Sequence, residues 1–338
     1  MSTEMTPEEF ARYAMQQFNW YGIPTLLGCE LESDPTRADI ALVGLPWTYN
    51  LMERTQYHAP RAVRNRSRSY HRKHREFQID PFELARIRDF GDVPIMTWGL
   101  ADQAVVEVQQ FYAKLDAGGC APFTIGGDHG ITLPVLRAIA GPQSRRQAPL
   151  GMIHFDSHTD TYGPAFGLVC HAGSGFRLGG KEGLIDPKRT VQVGLNGPVA
   201  SFDQDHFSRD MGYRVISLLE IQKHGIDATV EEIRSVIGSG PTFLSFDLDV
   251  LTLSDAPAVA NPEAGGLTIN EVFQMLVGFR GLNIVGGDIA CFVPHLDPSH
   301  VTAIHSNAIM HHVVTLMAEA VAKEKTEPRT AALSQSVG

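Results

Sequence analysis

The chain has 338 residues, 43% of them hydrophobic, and a formal net charge of −10. Its mean hydropathy of −0.09 and sequence pI of about 5.8 describe a soluble globular protein, and the acidic balance argues against nucleic acid as a partner. No apolar run approaches the ~18 residues needed to cross a bilayer, and the N-terminal MSTEMTPEEFARY is acidic and lacks the features of a signal peptide, so no membrane and a cytoplasmic location are expected.

Along the chain, short apolar runs alternate with longer amphipathic segments. The strand-like runs are Ile40–Leu45, Pro122–Ile125, Gly151–Phe155, Thr190–Leu195, Tyr213–Ser217, Thr242–Leu251 and Asn283–Ile289. Helix-like stretches lie at Asp102–Leu115, Leu133–Ala140, Thr229–Ile237, Thr268–Gly278 and Thr302–Lys323, with apolar residues recurring at three and four, as in Val105, Val108, Tyr112 and Leu115. That alternation predicts a mostly parallel sheet covered on both faces. No internal repeat or long linker divides the chain, so residues 1–325 read as one domain and residues 326–338 as a disordered tail. A basic stretch, RAVRNRSRSYHRKHREF from Arg61 to Phe77, reads as a solvated face or an oligomer contact, with an anion-binding patch as the alternative. Cys29, Cys120, Cys170 and Cys291 show no CxxC and no regular spacing, which predicts buried thiols.

In open α/β sheets ligands bind at the carboxyl ends of the strands, so polar clusters that follow apolar strands mark the site. Three stand out: IGGDHG (Ile125–Gly130), HFDSHTD (His154–Asp160) and SFDLDV (Ser245–Val250), the last placed inside a strand. Asp156, His158 and Asp160, and then Asp247 and Asp249, alternate; on an extended chain that spacing would put them on one face. Asp128 or His129 alone could be a cap or an ion pair. Together the clusters bring carboxylates that could share a site only if cations neutralised them. Carboxylate and imidazole donors without thiolate suit Mn(II), Ni(II), Co(II) or Zn(II). Two such ions ~3.5–4 Å apart can share an activated water.

GGDH, DSHTD and SFDLDV, in this order and spacing, resemble the ureohydrolases: arginase, agmatinase and their relatives. The resemblance runs from Tyr21 (YGIPTLL) to the helix after Thr302. It implies an arginase-like three-layer α/β/α fold with a central parallel sheet of about eight strands, assembled as trimers or hexamers; pairing with a paralogous subunit is the alternative expectation. It implies two divalent ions, Ni(II) or Mn(II), acting on a small guanidine-type substrate. By position, His129, Asp156, Asp160 and Asp247 would hold one ion, and Asp156, His158, Asp247 and Asp249 the other, with Asp156 and Asp247 bridging. Tyr162 falls where arginases carry the asparagine that holds the substrate α-carboxylate, which turns the expectation toward agmatinase-like members. His171, in CHAGSGF, resembles the family's proton-shuttling histidine, although its loop is one residue longer; Asp160 joins it among the expected catalytic residues.

Two substrate positions depart from the family. Cys291, in DIACFVP, stands where a glutamate normally hydrogen-bonds the guanidinium, and Asn261, in APAVANPEAGG, stands where threonine is usual. A small thiol in place of a carboxylate favours an alkylated guanidine or biguanide such as metformin, cleaved to guanylurea and dimethylamine. The alternatives are an agmatinase or guanidino-acid hydrolase releasing urea, a formiminoglutamate-type amidine hydrolase, and a non-catalytic subunit of a heteromeric enzyme.

Overall fold

A computed structural model of the chain describes residues 5–11, 22–49, 53, 55–67, 72–165, 168–199 and 201–335. Tyr21, residues 68–71 of the basic stretch and residues 336–338 of the expected tail lie outside these.

Eight strands form one sheet: β1 (Ile40–Leu45), β2 (Ile87–Asp92), β3 (Ala121–Gly126), β4 (Leu150–Phe155), β5 (Ile185–Leu195), β6 (Arg214–Ser217), β7 (Thr242–Asp247) and β8 (Ile284–Ala290), in the order β2-β1-β3-β8-β7-β4-β5-β6. Every pairing is parallel. Both faces are buried, which is why most of these strands read as unbroken apolar runs. Within β1, Ile40 and Leu42 join one apolar cluster while Ala41, Val43 and Leu45 join the other. The first cluster is completed by Val230, Ile233 and Ile237 of the helix Ile226–Ile237 and by Ile309, Met310 and Val313 of the helix Val301–Gln335. The second is completed by Val105, Val108 and Tyr112 of the helix Ala101–Gly118 and by Leu133 and Leu136 of the helix Thr132–Ala140. The result is the expected three-layer α/β/α architecture. Capping boxes fix two helix starts: Ser217 with Glu220, and Thr268 with Glu271.

Three expectations change. Strand β2 was not read from the sequence; Arg88, Asp89 and Asp92 interrupt its apolar pattern, as an edge strand tolerates. The run Thr242–Leu251 is not one strand, because β7 stops at Asp247 and a 3-10 turn, Leu248–Val250, follows. The last helix continues into the segment read as a tail, reaching Gln335. All four cysteines are free and buried. Among the described residues no helix is long and apolar enough to cross a membrane.

The strand order places the site. From β3 to β4 the chain steps across two positions later filled by β8 and β7. Such a switch opens a crevice at the carboxyl ends of the flanking strands. The three polar clusters leave β3, β4 and β7 there.

Candidate metal centre

Each cluster converges through a turn rather than through strand alternation. After β3, Gly127 passes the Trp47 carbonyl so closely that a Cβ would collide with that oxygen. Asp128 caps the turn, accepting from the Gly130 and Tyr49 amides at 2.9 and 2.5 Å, and His129 opens a 3-10 turn. After β4 the chain bends at once; the His158 amide donates to Asp156 Oδ1 at 2.6 Å, and Asp160 adopts a positive φ of 47°. Asp247 is the last residue of β7, and its Oδ1 accepts the Asp249 amide at 2.9 Å. The expected extended-chain alternation is therefore wrong in detail: these are Asx-type turns at strand ends, which aim alternate side chains inward just as an extended chain would.

Two groups form around a shared carboxylate. His129 Nδ1 lies 3.1 Å from Asp156 Oδ2, 3.0 Å from Asp160 Oδ2 and 3.2 Å from Asp247 Oδ2. His158 Nδ1 lies 3.3 Å from Asp156 Oδ1 and 3.2 Å from Asp249 Oδ2. Asp156 thus offers one oxygen to each group. All six side chains are buried except His158, which is partly exposed.

The electrostatics are those of an anionic nest. Burial, then the Asp156 charge, pushes the Asp160 carboxyl up to about 7, and burial with Asp247 and Asp156 pushes Asp249 well above the carboxylate range. Burial opposes charge on Asp156 too, but hydrogen bonds from His129, His154 and His158 outweigh it and hold it well down. Among the described residues no arginine or lysine forms an ion pair with Asp156, Asp160, Asp247 or Asp249. Burial opposes charge on the His129 and His158 imidazoles, but the same carboxylates push both well up. Four buried carboxylates without an arginine or lysine to match them, faced by three imidazoles, are a donor set that divalent cations fit.

A sequence model of the arginase family matches residues 38–315. The chain belongs to the arginase family. Guanidinopropionase from Pseudomonas aeruginosa is 40% identical over 304 residues, 89% of this chain and 94% of that one. Among solved structures, proclavaminate amidino hydrolase from Streptomyces clavuligerus superposes with a TM-score of 0.81 at 30% identity, over 89% of this chain and 99% of the other. Trypanosoma cruzi formiminoglutamase with Mn2+2 superposes at 0.73 with 25% identity, over 88% and 99% of the two chains. This member is an arginase-family hydrolase acting on C–N bonds of linear amidines.

The remaining expected residues are placed less uniformly. Cys291 follows β8, is 2% exposed and has a φ of 69°; its amide donates to the Gly127 carbonyl at 2.7 Å. Its thiol hydrogen-bonds the Asp247 carboxylate, and burial, then that charge, pushes the thiol well up. A non-glycine residue at such a φ costs about 1–3 kcal/mol; Asp160 and Cys291 are two of six such residues among the described ones. Tyr162 is half-buried, and its amide donates to the Gly173 carbonyl at 2.8 Å. His171 Nε2 meets the Gly163 carbonyl at 3.0 Å, and its loop is tied to the cluster by the Phe176 amide donating to the Asp160 carbonyl at 3.3 Å. Asn261 is exposed. Two positions later Glu263 reaches the site, 3.6 Å from His158 Nε2. Glu263 and the buried His154 were missed as site residues, although both lie within motifs that drew attention.

Beside His158 opens a cavity of about 270 Å3, whose walls include Tyr162, Asn196, Asp205 and Arg209.

Proposed function

We propose that this chain is a two-metal ureohydrolase for a small guanidino compound, with a guanidino acid as the leading substrate class and urea as the product. The convergence of His129, Asp156, Asp160, Asp247, His158 and Asp249 carries the proposal. His129, Asp156, Asp160 and Asp247 would hold one ion, and Asp156, His158, Asp249 and Asp247 the other. When bound, the ions supply a water activated at neutral pH. The chain's own residues then orient the substrate. The guanidino carbon sits over the cluster, the tail extends into the cavity beside His158, and Tyr162 forms part of its wall. His171, in a half-buried loop, is the group assigned to pass a proton to the departing nitrogen. Manganese is proposed ahead of nickel: the donors are mostly carboxylate oxygen, and the Trypanosoma relative is described with manganese. A trimeric or hexameric assembly, or one with a paralogous subunit, is proposed from the family resemblance.

One observation favours a second substrate. With Cys291 in the glutamate position, and its thiol turned to Asp247, no carboxylate is offered there to a pair of guanidinium N–H groups. Charge-assisted hydrogen bonds of that kind are worth about 1.5–3 kcal/mol each. An alkylated guanidine or biguanide such as metformin would not miss them. The similarity to guanidinopropionase favours the guanidino acid instead. A product assay with Mn(II) or Ni(II) across 3-guanidinopropionate, 4-guanidinobutyrate, agmatine, arginine and metformin decides. The highest kcat/KM on a guanidino acid, with urea released, is the expected result. Preferred release of dimethylamine from metformin would put the second reading first.

A further inference from the structure

Three imidazoles surround the shared carboxylate, and their outward nitrogens are treated differently. His129 Nε2 lies 2.8 Å from Ser245 Oγ, whose hydroxyl donates to Asp288 Oδ1 at 2.6 Å; Ser245 therefore accepts from His129 Nε2–H, and Nδ1 is the ring atom turned to the carboxylates. His158 Nε2 points toward the Glu263 carboxylate at 3.6 Å, so here too the outward nitrogen faces an acceptor and Nδ1 is turned to the carboxylates. Both rings have the arrangement of a metal ligand backed by an acceptor.

His154 is reversed. Its outward Nδ1 lies 3.0 Å from Gln192 Nε2, and the same amide nitrogen lies 2.6 Å from the Thr159 carbonyl. An amide oxygen could not approach a carbonyl oxygen that closely, so the NH2 group occupies this position and Nδ1 accepts. The proton must then sit on Nε2, which is 2.9 Å from Asp156 Oδ2. The ring is fully buried and stacked on Phe176 with centroids 3.6 Å apart, which holds it in place. By distance alone His154 could be a ligand, since its donor atom lies within 4.8 Å of those of His129, Asp156 and Asp160.

We infer that His154 is a positioning residue and not a ligand: the Gln192 amide fixes its tautomer, and its Nε2–H holds Asp156 in the orientation that serves both metal groups. The inference assumes the proposed role of Asp156 as the shared ligand. The test uses Mn(II) alone as the probe, with stoichiometry and affinity measured by calorimetry and elemental analysis. Wild type is expected to take up two ions per chain. His154→Leu should still saturate at two ions but bind them about 10–100-fold more weakly, the usual loss when a partner of a metal ligand is removed. His154→Gln, which keeps an N–H donor, should recover part of that loss. Gln192→Leu keeps the ring but frees its tautomer; it should weaken binding in the same direction and covers the case in which His154→Leu does not fold. Saturation of His154→Leu at one ion would make His154 a ligand and overturn the inference. So would unchanged affinity in either Leu variant. Fewer than two ions in wild type would instead remove the two-metal proposal itself.

Discussion

Arg209 is the residue at which the charge of a substrate tail would be read. It stands on the cavity wall beside His158, with Asp205 as the opposing charge on the same wall. If the substrate is a guanidino acid, Arg209 is the natural partner of its carboxylate. Losing a charge-assisted bond costs about 1.5–3 kcal/mol, which is roughly a 10–100-fold change. Arg209→Gln should therefore raise KM for 3-guanidinopropionate by about tenfold or more with a smaller effect on kcat, and leave KM for agmatine unchanged. Equal KM values in wild type and variant would remove the assignment. At this scale the sequence was a good guide to donor atoms and a poor one to what surrounds them. The six expected ligands come together because Asp, His and Asp after a parallel strand have few uses other than a cation. Glu263 and His154 were not assigned, since their roles depend on contacts across long sequence separations: Glu263 to His158, and His154 to Gln192.

The basic stretch and the edge strand explain each other. Arg64, expected on a solvated face, is buried and grips Asp89 through two bonds, Nε to Oδ2 at 2.9 Å and Nη2 to Oδ1 at 3.0 Å, with Asp92 as a further partner. Asp89 also accepts the Leu26 amide at 2.7 Å and so ties a third segment to β2. Breaking a buried pair from one side leaves an uncompensated charge and costs about 3–5 kcal/mol. Arg64→Met should lower the urea-unfolding free energy by that amount, with little change if Asp89 is replaced by Asn in the same chain. An Arg64→Met variant as stable as wild type would show that Asp89 finds another partner. Strand β2 escaped notice for the same reason it needs Arg64: the partner of Asp89 and Asp92 lies more than twenty residues upstream, and no local pattern records that. Strands β1, β3, β4, β7 and β8 were legible because burial on both faces demands unbroken apolar runs.

In the whole molecule, the last helix locks the segment around His74 to the sheet, and that lock is sensitive to acid. His74 Nδ1 accepts the Phe77 amide at 3.2 Å, which leaves its Nε2–H to donate to His312 Nδ1 at 2.8 Å. His311 stacks on His74, Phe273 stacks on His312, Arg280 lies over Phe77, and Glu76 is 3.7 Å away. Burial, then His311, depresses His74 to about 4; burial, then His74, depresses His312 to about 3. Unfolded histidine titrates near 6.5, so between there and about 4 the unfolded chain binds more protons. The stabilising effect is fully present above pH 6.5 and is lost progressively as pH falls toward 4. The thermal midpoint should drop from pH 6.5 to 4.5, and should drop less in His312→Phe, which removes one titrating ring and keeps the stack on Phe273. Identical pH slopes for the two proteins would contradict this. The strand order, which crosses from β3 to β4 over the places of β8 and β7, could not be read from one sequence, because the alternation of strands and helices is the same for many orders; it is nevertheless what brings His129, Asp156 and Asp247 to one crevice. The most direct test of the two-metal hydrolase is metal content measured together with urea release, for wild type and for Asp247→Ala. Two Mn(II) per chain and metal-dependent urea release from a guanidino compound are expected in wild type, with both lost in Asp247→Ala while the circular dichroism spectrum is retained. Two tightly bound ions in Asp247→Ala, or urea release by wild type that persists after complete metal removal, would contradict it.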